Sequence, residues 1–191
     1  MADLIYIANV SLDGYIEDEH GSFDWSPPED DFFVCITDVV RPIGTYLYGR
    51  RLYETMAVWE TDPAVAAATE LTADFAGVWQ AADKVVYSTT LPAVPTARTR
   101  LERDFDPPSV RDMKASAVRD LMIGGAHVAA QAFAAGLVDR CHLFVHPLLL
   151  GGGKPALPSG VRADLELVDE RRLSKGLVHL HYRVDAAAAT R

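Results

Sequence analysis

The segment from Arg119 to Pro147, RDLMIGGAHVAAQAFAAGLVDRCHLFVHP, constrains the fold more than any other part of the chain. It predicts a buried strand at Leu121–Ile123, a sharp turn at Gly124-Gly125, an amphipathic helix from Ala126 and a second apolar strand. A strand that turns directly into a helix is typical of α/β sheets, and the free N–H groups at such a helix start bind anions. A glycine pair also occurs in turns that bind nothing, so partner residues from other segments must decide between the two.

The composition predicts one globular domain. With 191 residues, of which 49% are hydrophobic and 24% are charged, the chain can bury a substantial core. Its net charge of −9 includes no basic run long enough to neutralise several phosphates, so a nucleic-acid partner is not expected. A small anionic ligand needs only a few local donors and is compatible with this charge.

No targeting or membrane segment is expected from the sequence. An acidic residue, Asp3, stands where a secretion signal carries positive charge, and the longest uncharged stretch, Leu121–Val138, is interrupted by three glycines. Cys35 and Cys141 are isolated within apolar patterns and predict neither a disulfide nor a metal site. We therefore expect a cytoplasmic protein with no membrane partner.

Two further segments predict buried strands that end in polar groups. Thr45–Gly49 is followed at once by a helix that starts with Arg50-Arg51, and Lys84–Ser88 ends in the hydroxyls of Ser88, Thr89 and Thr90. Two helix starts with cations nearby are what a ligand with several phosphates requires, and strand ends are where α/β sheets bind ligands. A solvated basic turn and hydroxyls that cap a turn are the plain alternatives.

The N-terminal segment predicts a strand, a loop and a helix. Leu4–Val10 is a nearly continuous apolar run, and the polar loop that follows it is a common place for a ligand lid. Ser26 as N-cap and Pro27 at the first position predict a helix that runs to about Val40. Asp30, one turn into that helix, either faces a cleft or is a surface group that stabilises the helix dipole.

The rest of the chain predicts further elements without a repeat or a dividing linker. His142 and His146 have the spacing of one strand face, yet no third ligand follows in a recognisable pattern, so no metal site is expected. The loop Gly151–Lys154 is either a phosphate-binding loop or a plain connection. The remaining predicted elements are a helix at 64–82, a weak strand within 96–105, a helix at 109–117, and strands at 138–147, 163–173 and 177–184, with a tail at 185–191.

Six motifs, taken in order, resemble the dihydrofolate reductase fold over almost the whole chain. They are IANVSLDGYIE, the start of the first helix with Trp25, YGRRLYE, VVYSTT, MIGGAHV and LVDRCHLFVHPLLLGGGKP. The last two are similar to the reductase domain at the C-terminal end of bacterial riboflavin-biosynthesis deaminase-reductases. The resemblance implies a three-layer α/β fold in one domain, residues 1–184, with a mostly parallel central sheet and antiparallel C-terminal strands. It also implies a homodimer, because members of this family often pair through those strands.

The resemblance further implies a binding site for NADPH. In this family the Gly-Arg helix start, the Ser/Thr pair at a strand end and the Gly-Gly turn surround the cofactor. By this match Gly49, Arg50 and Arg51 hold phosphates, Ser88 and Thr89 lie by the adenosine 2′-phosphate, and Gly124, Gly125, Ala126 and His127 meet the pyrophosphate. Ala8, Asn9 and Ile16 flank the nicotinamide, and the neighbouring Leu52 and Ile123 complete the expected cofactor site.

Departures from the family patterns bear on the substrate. Leu52 stands where the dihydrofolate reductase motif usually has Thr, and Ile123 stands where riboflavin-pathway reductases tend to carry Glu. The deaminase motif, His-x-Glu with Pro-Cys-x-x-Cys, is missing from the sequence. The match to dihydrofolate reductase sets Asp30, or with a shifted gap Glu29 or Asp31, opposite that family's substrate carboxylate, which would grip a protonated ring.

We therefore predict an NADPH-dependent reductase that passes a hydride to a C=N or C=O bond of a small heterocycle of the pterin, dihydrofolate or aminopyrimidine class, with Asp30 as its catalytic carboxylate. In such an enzyme the cofactor performs the chemistry while the protein orients it and excludes water. The alternatives are a non-catalytic nucleotide-binding module of the same fold, a 5-amino-6-(5-phosphoribosylamino)uracil reductase, and a structural dimer whose glycine turns bind nothing.

Overall fold

The structure, a computed structural model that describes residues 1–25 and 27–185, is built on a central β-sheet. Its strands are β1 Leu4–Ser11, β2 Tyr15–Glu17, β3 Ile43–Gly49, β4 Asp83–Tyr87, β5 Thr99–Glu102, β6 Asp120–Gly124, β7 Arg140–His146, β8 Lys154–Pro155, β9 Asp164–Arg172 and β10 Val178–Asp185. Its helices are α1 Asp30–Val40, α2 Arg50–Met56, α3 Val58–Thr61, α4 Pro63–Ala66, α5 Glu70–Ala81, α6 Pro107–Ser116 and α7 Ala126–Ala134. The apolar runs in the sequence form the inner strands. Both faces of these strands are covered, so their side chains are apolar on both sides.

The topology of the sheet is mostly parallel. Eight strands are hydrogen-bonded in the order β5-β4-β3-β6-β1-β7-β10-β9. The first six run parallel to one another, whereas β10 pairs antiparallel with both β7 and β9. The strands β2 and β8 form a small antiparallel sheet of their own. This architecture confirms the expected α/β class with antiparallel C-terminal strands.

The register of the strands brings the polar strand ends together. Tyr48 near the end of β3 pairs with Gly124 at the end of β6, and Gly49 pairs with Tyr87 at the end of β4. The glycine turns after β3 and β6 and the hydroxyls after β4 therefore meet at one edge of the sheet. This edge is the usual ligand-binding edge of a parallel α/β sheet.

Helices cover both faces of the sheet and complete the three layers. On one face, Phe75 and Trp79 of α5 and Ile36 of α1 belong to a core cluster with strand residues. On the other face, Val110 of α6 and Val128 of α7 belong to a second cluster. Burial of each large apolar side chain contributes about 1.5–3 kcal/mol, so both helical layers are anchored to the sheet.

Three helix boundaries differ from the prediction. The first helix begins at Asp30 and has no side-chain cap, while the expected N-cap Ser26 lies outside the described residues. The helix expected at 64–82 is divided into α4 and α5, because Thr69 forms a capping box that starts a new helix. The helix expected from Ser109 begins two residues earlier, since Asp106 accepts a hydrogen bond from the Ser109 N–H.

The described residues also bear on the predicted C-terminal tail, on a membrane span and on a metal site. Asp185, expected in the tail, is the last residue of β10, and 186–191 lie outside the described residues. No helix in the part of the chain that the structure describes has the length and apolar character needed to cross a bilayer. Within the same residues, no group of three or more His, Cys, Asp or Glu side chains is placed to hold a metal ion.

Candidate functional site

A cleft of about 1270 Å³ opens at the carboxyl ends of the parallel strands. Its walls come from strand ends, from α1 and α2 and from the first turn of α7. The predicted cofactor residues that line it are Ala8, Asn9, Ile16, Gly49, Arg50, Arg51, Leu52, Ser88, Thr89, Gly125, Ala126 and His127. Segments that are distant in the sequence thus converge where open α/β sheets bind ligands.

The two glycine turns lie directly against each other. Gly125 is the N-cap of α7 and has a φ of +94°, a backbone conformation that residues with side chains rarely adopt. A Cβ at this position would lie 3.4 Å from the backbone nitrogen of Gly49. A Cβ on Gly49 would in turn lie 2.9 Å from Cγ2 of Val128. The first N–H groups of α7 therefore open onto the cleft with no side chain from either glycine in front of them.

Ile123 and Gly124, which the resemblance placed in the cofactor site, are not among the residues that line the cleft. Ile123 is completely buried because it belongs to a central parallel strand. A Cβ on Gly124 would lie 2.4 Å from Cδ2 of Leu52, so this glycine makes room for the leucine. Leu52 thus replaces the hydroxyl of the dihydrofolate reductase motif by an apolar contact between the two turns.

Two arginines stand at the start of α2. Arg50 donates from Nε to Oε1 of Glu54 at 2.8 Å and from Nη1 to Oγ1 of Thr90 at 2.9 Å. Arg51 is largely exposed, with its Nη1 3.6 Å from Oε2 of Glu17. The exposed Arg50–Glu54 pair contributes at most about 1 kcal/mol, and Glu17, whose side chain is only 16% exposed, keeps Lys154 as a partner when Arg51 moves away. The two guanidinium groups can therefore exchange these partners for a ligand phosphate at small cost.

Ser88 organises the turn that follows β4. Its hydroxyl accepts hydrogen bonds from the backbone N–H groups of Thr90 at 3.3 Å and Leu91 at 3.0 Å, so it caps the turn. Arg103 donates from Nη1 to the carbonyl oxygens of Ser88 at 3.1 Å and Leu91 at 2.8 Å. Arg103 lines the cleft, and its other N–H groups have no acceptor in the described part of the chain.

Arg103 is a site residue that the sequence analysis missed. It follows β5, which the sequence predicted only as a weak strand within 96–105. The available signal was a cation directly after that strand, because a parallel neighbour of β4 ends beside the Ser88 turn. Without the order of the strands, this arginine could not be distinguished from an ordinary surface residue.

The small sheet of β2 and β8 contributes an ion pair to the cleft. Lys154 donates from Nζ to Oε2 of Glu17, and both side chains line the cleft. The Glu17 side chain is only 16% exposed. In the preceding loop, the Gly151 N–H donates to Oδ2 of Asp13 at 2.7 Å. The cation and the first N–H group of the Gly151–Lys154 loop thus have carboxylate partners, which favours a plain connection over a phosphate-binding loop.

Asn9 presents an amide at the end of β1. Its Oδ1 lies 3.3 Å from Nε2 of His146, and the indole of Trp25 contacts the same imidazole edge-on at a ring-centroid distance of 5.3 Å. Burial lowers the pKa of His146, so this ring is neutral at physiological pH and carries one N–H. With Oδ1 as the acceptor, the amide nitrogen of Asn9 remains a donor for a group in the cleft.

Asp30, the predicted catalytic carboxylate, is not among the residues that line the cleft. Because α1 begins at Asp30 itself, this residue is exposed on the first turn and not one turn further in. The neighbouring acids, which also do not line the cleft, hold the turn between β9 and β10: Glu29 accepts from Lys175, and Asp31 accepts from the Ser174 N–H at 2.6 Å. That hydrogen bond lowers the pKa of Asp31.

The part of the cleft beside α1, α3 and α5 is aromatic. Phe32 packs edge-on against Phe144 with ring centroids 5.1 Å apart, and Phe33 packs against Trp59 at 6.0 Å. Trp59 also contacts Phe75 at 4.9 Å. The side chains of Phe32, Phe33 and Trp59 stay partly exposed. The sequence analysis missed this wall, since helical spacing marks an apolar face but does not distinguish a core from a cleft.

Three histidines form a stack outside the lining of the cleft. The imidazole of His142 stacks on His181 at a centroid distance of 4.1 Å and on His179 at 5.1 Å. Nδ1 of His142 lies 2.9 Å from Nε2 of His179. Burial lowers the pKa of His142 to about 3 and that of His179 to about 4, so both are neutral at physiological pH. The stack is therefore part of the packing between β7 and β10.

Comparisons with known proteins show which proteins this chain resembles. A family model described as the RibD C-terminal domain matches residues 2–179. The uncharacterized protein YyaP of Bacillus subtilis (strain 168) is 29% identical over 178 residues, which are 91% of this chain and 90% of that protein. The family match extends over the strands and turns that form the cleft.

Two solved structures share the fold. A protein from Shewanella sp. PV-4 named for riboflavin biosynthesis has a TM-score of 0.72 and 22% identity, and the match covers 97% of this chain and 99% of that one. The deaminase/5-amino-6-(5-phosphoribosylamino)uracil reductase of Thermotoga maritima has a TM-score of 0.63 and 13% identity, over 96% of this chain and 57% of that one. The family model, which covers nearly the whole sequence, confirms the suspected relationship. This chain belongs to the RibD C-terminal domain family and is an oxidoreductase of the riboflavin-biosynthesis reductase type.

Proposed function

We propose that this chain is an NADPH-dependent reductase that passes a hydride to a C=N or C=O bond of a small heterocycle. The observation that carries the proposal is the convergence of three strand-end turns on one cleft, at Gly49-Arg50, Ser88-Thr89 and Gly125-Ala126. A dinucleotide has phosphates and two ring systems to be held, and three separate turns with anion-binding groups match that requirement. NADPH would supply the hydride, and the residues of the chain would bind it, orient it and exclude water.

The start of α7 fits the pyrophosphate of the cofactor. Gly125 keeps the backbone open at a positive φ, and a side chain there would occupy the space beside Gly49. The first N–H groups of this nine-residue helix are free to donate, and its dipole favours a negative charge. Arg51, which is largely exposed beside the cleft, adds a cation that can approach the same anion.

Arg50 and Arg103 support a preference for NADPH over NADH. Arg50 reaches Thr90, and Arg103 is anchored on the carbonyl of Ser88, so both guanidinium groups stand at the turn after β4. A 2′-phosphate on the adenosine ribose would gain charge-assisted hydrogen bonds from them. NADH lacks that phosphate and would leave both cations without a ligand partner.

The nicotinamide would lie at the end of β1, between Ala8, Asn9 and Ile16. Ala8 and Ile16 are only partly exposed and present small or apolar surface to the cleft. The Asn9 amide, oriented through His146, can donate to a carbonyl oxygen of the ring system in the cleft. We assign this orienting role to Asn9 and do not assign the chemistry to Asp30, which stands outside the cleft lining.

We also propose that two copies of the chain pair through β9. This strand is the edge of the sheet, and all nine of its residues are exposed. Leu165, Leu167 and Val168 are 43%, 48% and 53% exposed. Six of the nine residues are charged, but the strand still offers a second copy an unpaired backbone edge together with these three apolar side chains. Light scattering should give the mass of a dimer for the wild type and of a monomer for Leu167→Lys. A monomeric wild type would contradict this proposal.

Fluorescence titration of the purified chain with NADPH and NADH tests the cofactor. We expect tight binding of NADPH, weaker binding of NADH, and a loss of about tenfold in NADPH affinity for Arg50→Ala, the size expected for one charge-assisted hydrogen bond. Arg111→Ala, an exposed arginine on α6 that does not line the cleft, should bind as the wild type does. Absence of binding by either nucleotide would contradict the proposal.

Oxidation of NADPH with a panel of pterins, pyrimidines and quinones tests turnover. A steady loss of reduced-nicotinamide absorbance with one compound would support a reductase. Binding of NADPH without oxidation across the whole panel would favour the non-catalytic nucleotide-binding module. Turnover restricted to the phosphoribosylaminouracil would instead favour the activity for which the Thermotoga maritima relative is named.

A further inference from the structure

The charged and the apolar side chains of the cleft are separated in space. Its charged side chains come from β2, α2, β8 and the segment after β5, and all of these except β8 carry proposed cofactor contacts. The three helices α1, α3 and α5 contribute only apolar side chains, including Phe33, Val58 and Trp59. Because the nucleotide needs the cations, the apolar region is left for the substrate.

The charge of these three helices disfavours an anionic substrate group. Their sequences contain six carboxylates and neither lysine nor arginine. Arg41, which follows α1, already pairs with Asp74 of α5 at 2.6 Å. A phosphate or carboxylate bound beside these helices would meet no free cation on them and would lose its hydration without gaining a charged partner there.

The shape of the region favours a flat ring. Phe32 and Phe33 are edge-on to each other at 6.0 Å, and Phe33 is also edge-on to Trp59 and to Phe75. Partly exposed aromatic rings in edge-on arrangements present both ring faces and ring edges to a planar ligand. Burial of this aromatic surface by an apolar ring makes the free energy of binding more favourable.

Tyr46 is a buried polar residue among the side chains that line the cleft. It lines the cleft, it is 2% exposed, and its hydroxyl has no hydrogen-bond partner in the part of the chain that the structure describes. Its ring stacks on Tyr48 at 5.4 Å, so the phenol is held in place. Burial raises the pKa of Tyr46, which keeps the hydroxyl protonated as a donor. A ring nitrogen or a carbonyl oxygen of the substrate would satisfy it.

We propose that the substrate of this cleft is an uncharged planar heteroaromatic compound with apolar substituents and without a phosphate or carboxylate tail. This inference rests on the proposed reductase function and narrows its substrate class. The ring would lie against Phe32, Phe33 and Trp59, and the Tyr46 hydroxyl would donate to one of its heteroatoms. A phosphoribosyl group or a glutamate tail would be rejected at this end of the cleft.

Calorimetric titration of the full chain in the presence of NADP⁺, which has no hydride to give, tests this selectivity. The probes are two matched pairs: 6,7-dimethylpterin with pterin-6-carboxylate, and quinoxaline with quinoxaline-2-carboxylate. We expect each neutral ring to bind at least about tenfold more tightly than its carboxylate. Equal or tighter binding of the carboxylates, or no binding of either neutral ring, would overturn the inference.

Variants separate substrate contacts from the fold. Trp59→Ala should lower the affinity for the two neutral rings about tenfold, and Tyr46→Phe should lower it by a smaller factor. Val58→Arg should reverse the selectivity, so that the carboxylates bind more tightly than the neutral rings. Val65→Ala on α4, outside the cleft lining, should leave all affinities unchanged. Failure of Val58→Arg to improve carboxylate binding would count against the charge argument even if Trp59→Ala is unstable.

The same samples distinguish this inference from the proposed function. Wild-type protein that binds NADP⁺ but prefers the carboxylates refutes the substrate class and leaves the reductase proposal standing. Protein that binds no nicotinamide nucleotide refutes the reductase proposal itself. The substrate variants should bind NADP⁺ as the wild type does, because their side chains lie apart from the cations and glycine turns.

Discussion

Replacement of Gly125 by alanine tests the binding turn without removing any polar group. The backbone of Gly125 has a φ of +94°, and a Cβ would lie 3.4 Å from the nitrogen of Gly49. In a residue with a side chain, this backbone conformation destabilises the folded state by about 1–3 kcal/mol. Alanine also lowers the conformational entropy of the unfolded chain, which offsets about 0.4–1 kcal/mol of that loss. We therefore expect Gly125→Ala to lower the free energy of unfolding by about 1–2 kcal/mol.

The effect of Gly125→Ala on NADPH should exceed its effect on the fold. The new methyl group stands at the N-cap of α7, where the pyrophosphate would approach the free N–H groups. Displacing a phosphate from two or more such donors should cost at least about 1.4 kcal/mol, which is a tenfold loss of affinity. The added Cβ would also lie 3.5 Å from Cγ2 of Val128, so the methyl group would contact both Gly49 and Val128.

Gly136 provides the matched control. It follows α7, has a φ of +62°, would have no atom within 4 Å of an added Cβ, and does not line the cleft. Gly136→Ala should therefore lower the free energy of unfolding by a similar amount and leave the NADPH affinity at the wild-type value. Urea unfolding and fluorescence titration measure the two quantities. Equal NADPH affinity for Gly125→Ala and the wild type, or an equal loss for Gly136→Ala, would refute the assignment of the turn.

Three further predictions follow from single contacts. Arg103→Ala should weaken NADPH binding about tenfold and leave NADH binding unchanged in parallel titrations, because only NADPH carries the 2′-phosphate; equal losses for both would contradict this role. The folded pKa values of His142 and His179, about 3 and 4, lie below the value of 6.5 for the unfolded chain, so the unfolded chain binds more protons between these limits. The free energy of unfolding, measured in urea, should be constant above pH 6.5 and should fall by about 1 kcal/mol per pH unit for each histidine toward pH 4, and a flat profile would contradict the burial of the stack. Gly124→Ala should destabilise the fold by about 1–3 kcal/mol through its 2.4 Å approach to Leu52, and Leu52→Ala in the same chain should restore part of that loss, as thermal unfolding would show.

The sequence could predict the strands and the glycine turns because these features are local. Continuous apolar runs such as Leu4–Ser11 are typical of parallel strands whatever their neighbours are, and Gly125 is required by the backbone of its own turn. The family resemblance then supplied the order in which the turns meet. Twelve predicted cofactor residues line the cleft for this reason.

The positions that the sequence alone could not decide depend on tertiary register. Asp30 was expected in the cleft from a helix start at Ser26, whereas α1 begins at Asp30 and leaves that residue exposed. Arg103 enters the cleft only because β5 is the parallel neighbour of β4. Phe33 and Trp59 follow helical spacing that a core face would also show. Local pattern gives the element, but only the packing of elements decides which face borders the cleft.

The central claim is that the two glycine turns and the Ser88 turn together hold NADPH. A crystal structure of the chain with NADPH tests it most directly. We expect the pyrophosphate at the N-terminus of α7 beside Gly125, the 2′-phosphate within hydrogen-bond distance of Arg103, and the nicotinamide against Ala8 and Asn9. A nucleotide bound elsewhere, or bound with its adenosine at the end of β1, would contradict the account.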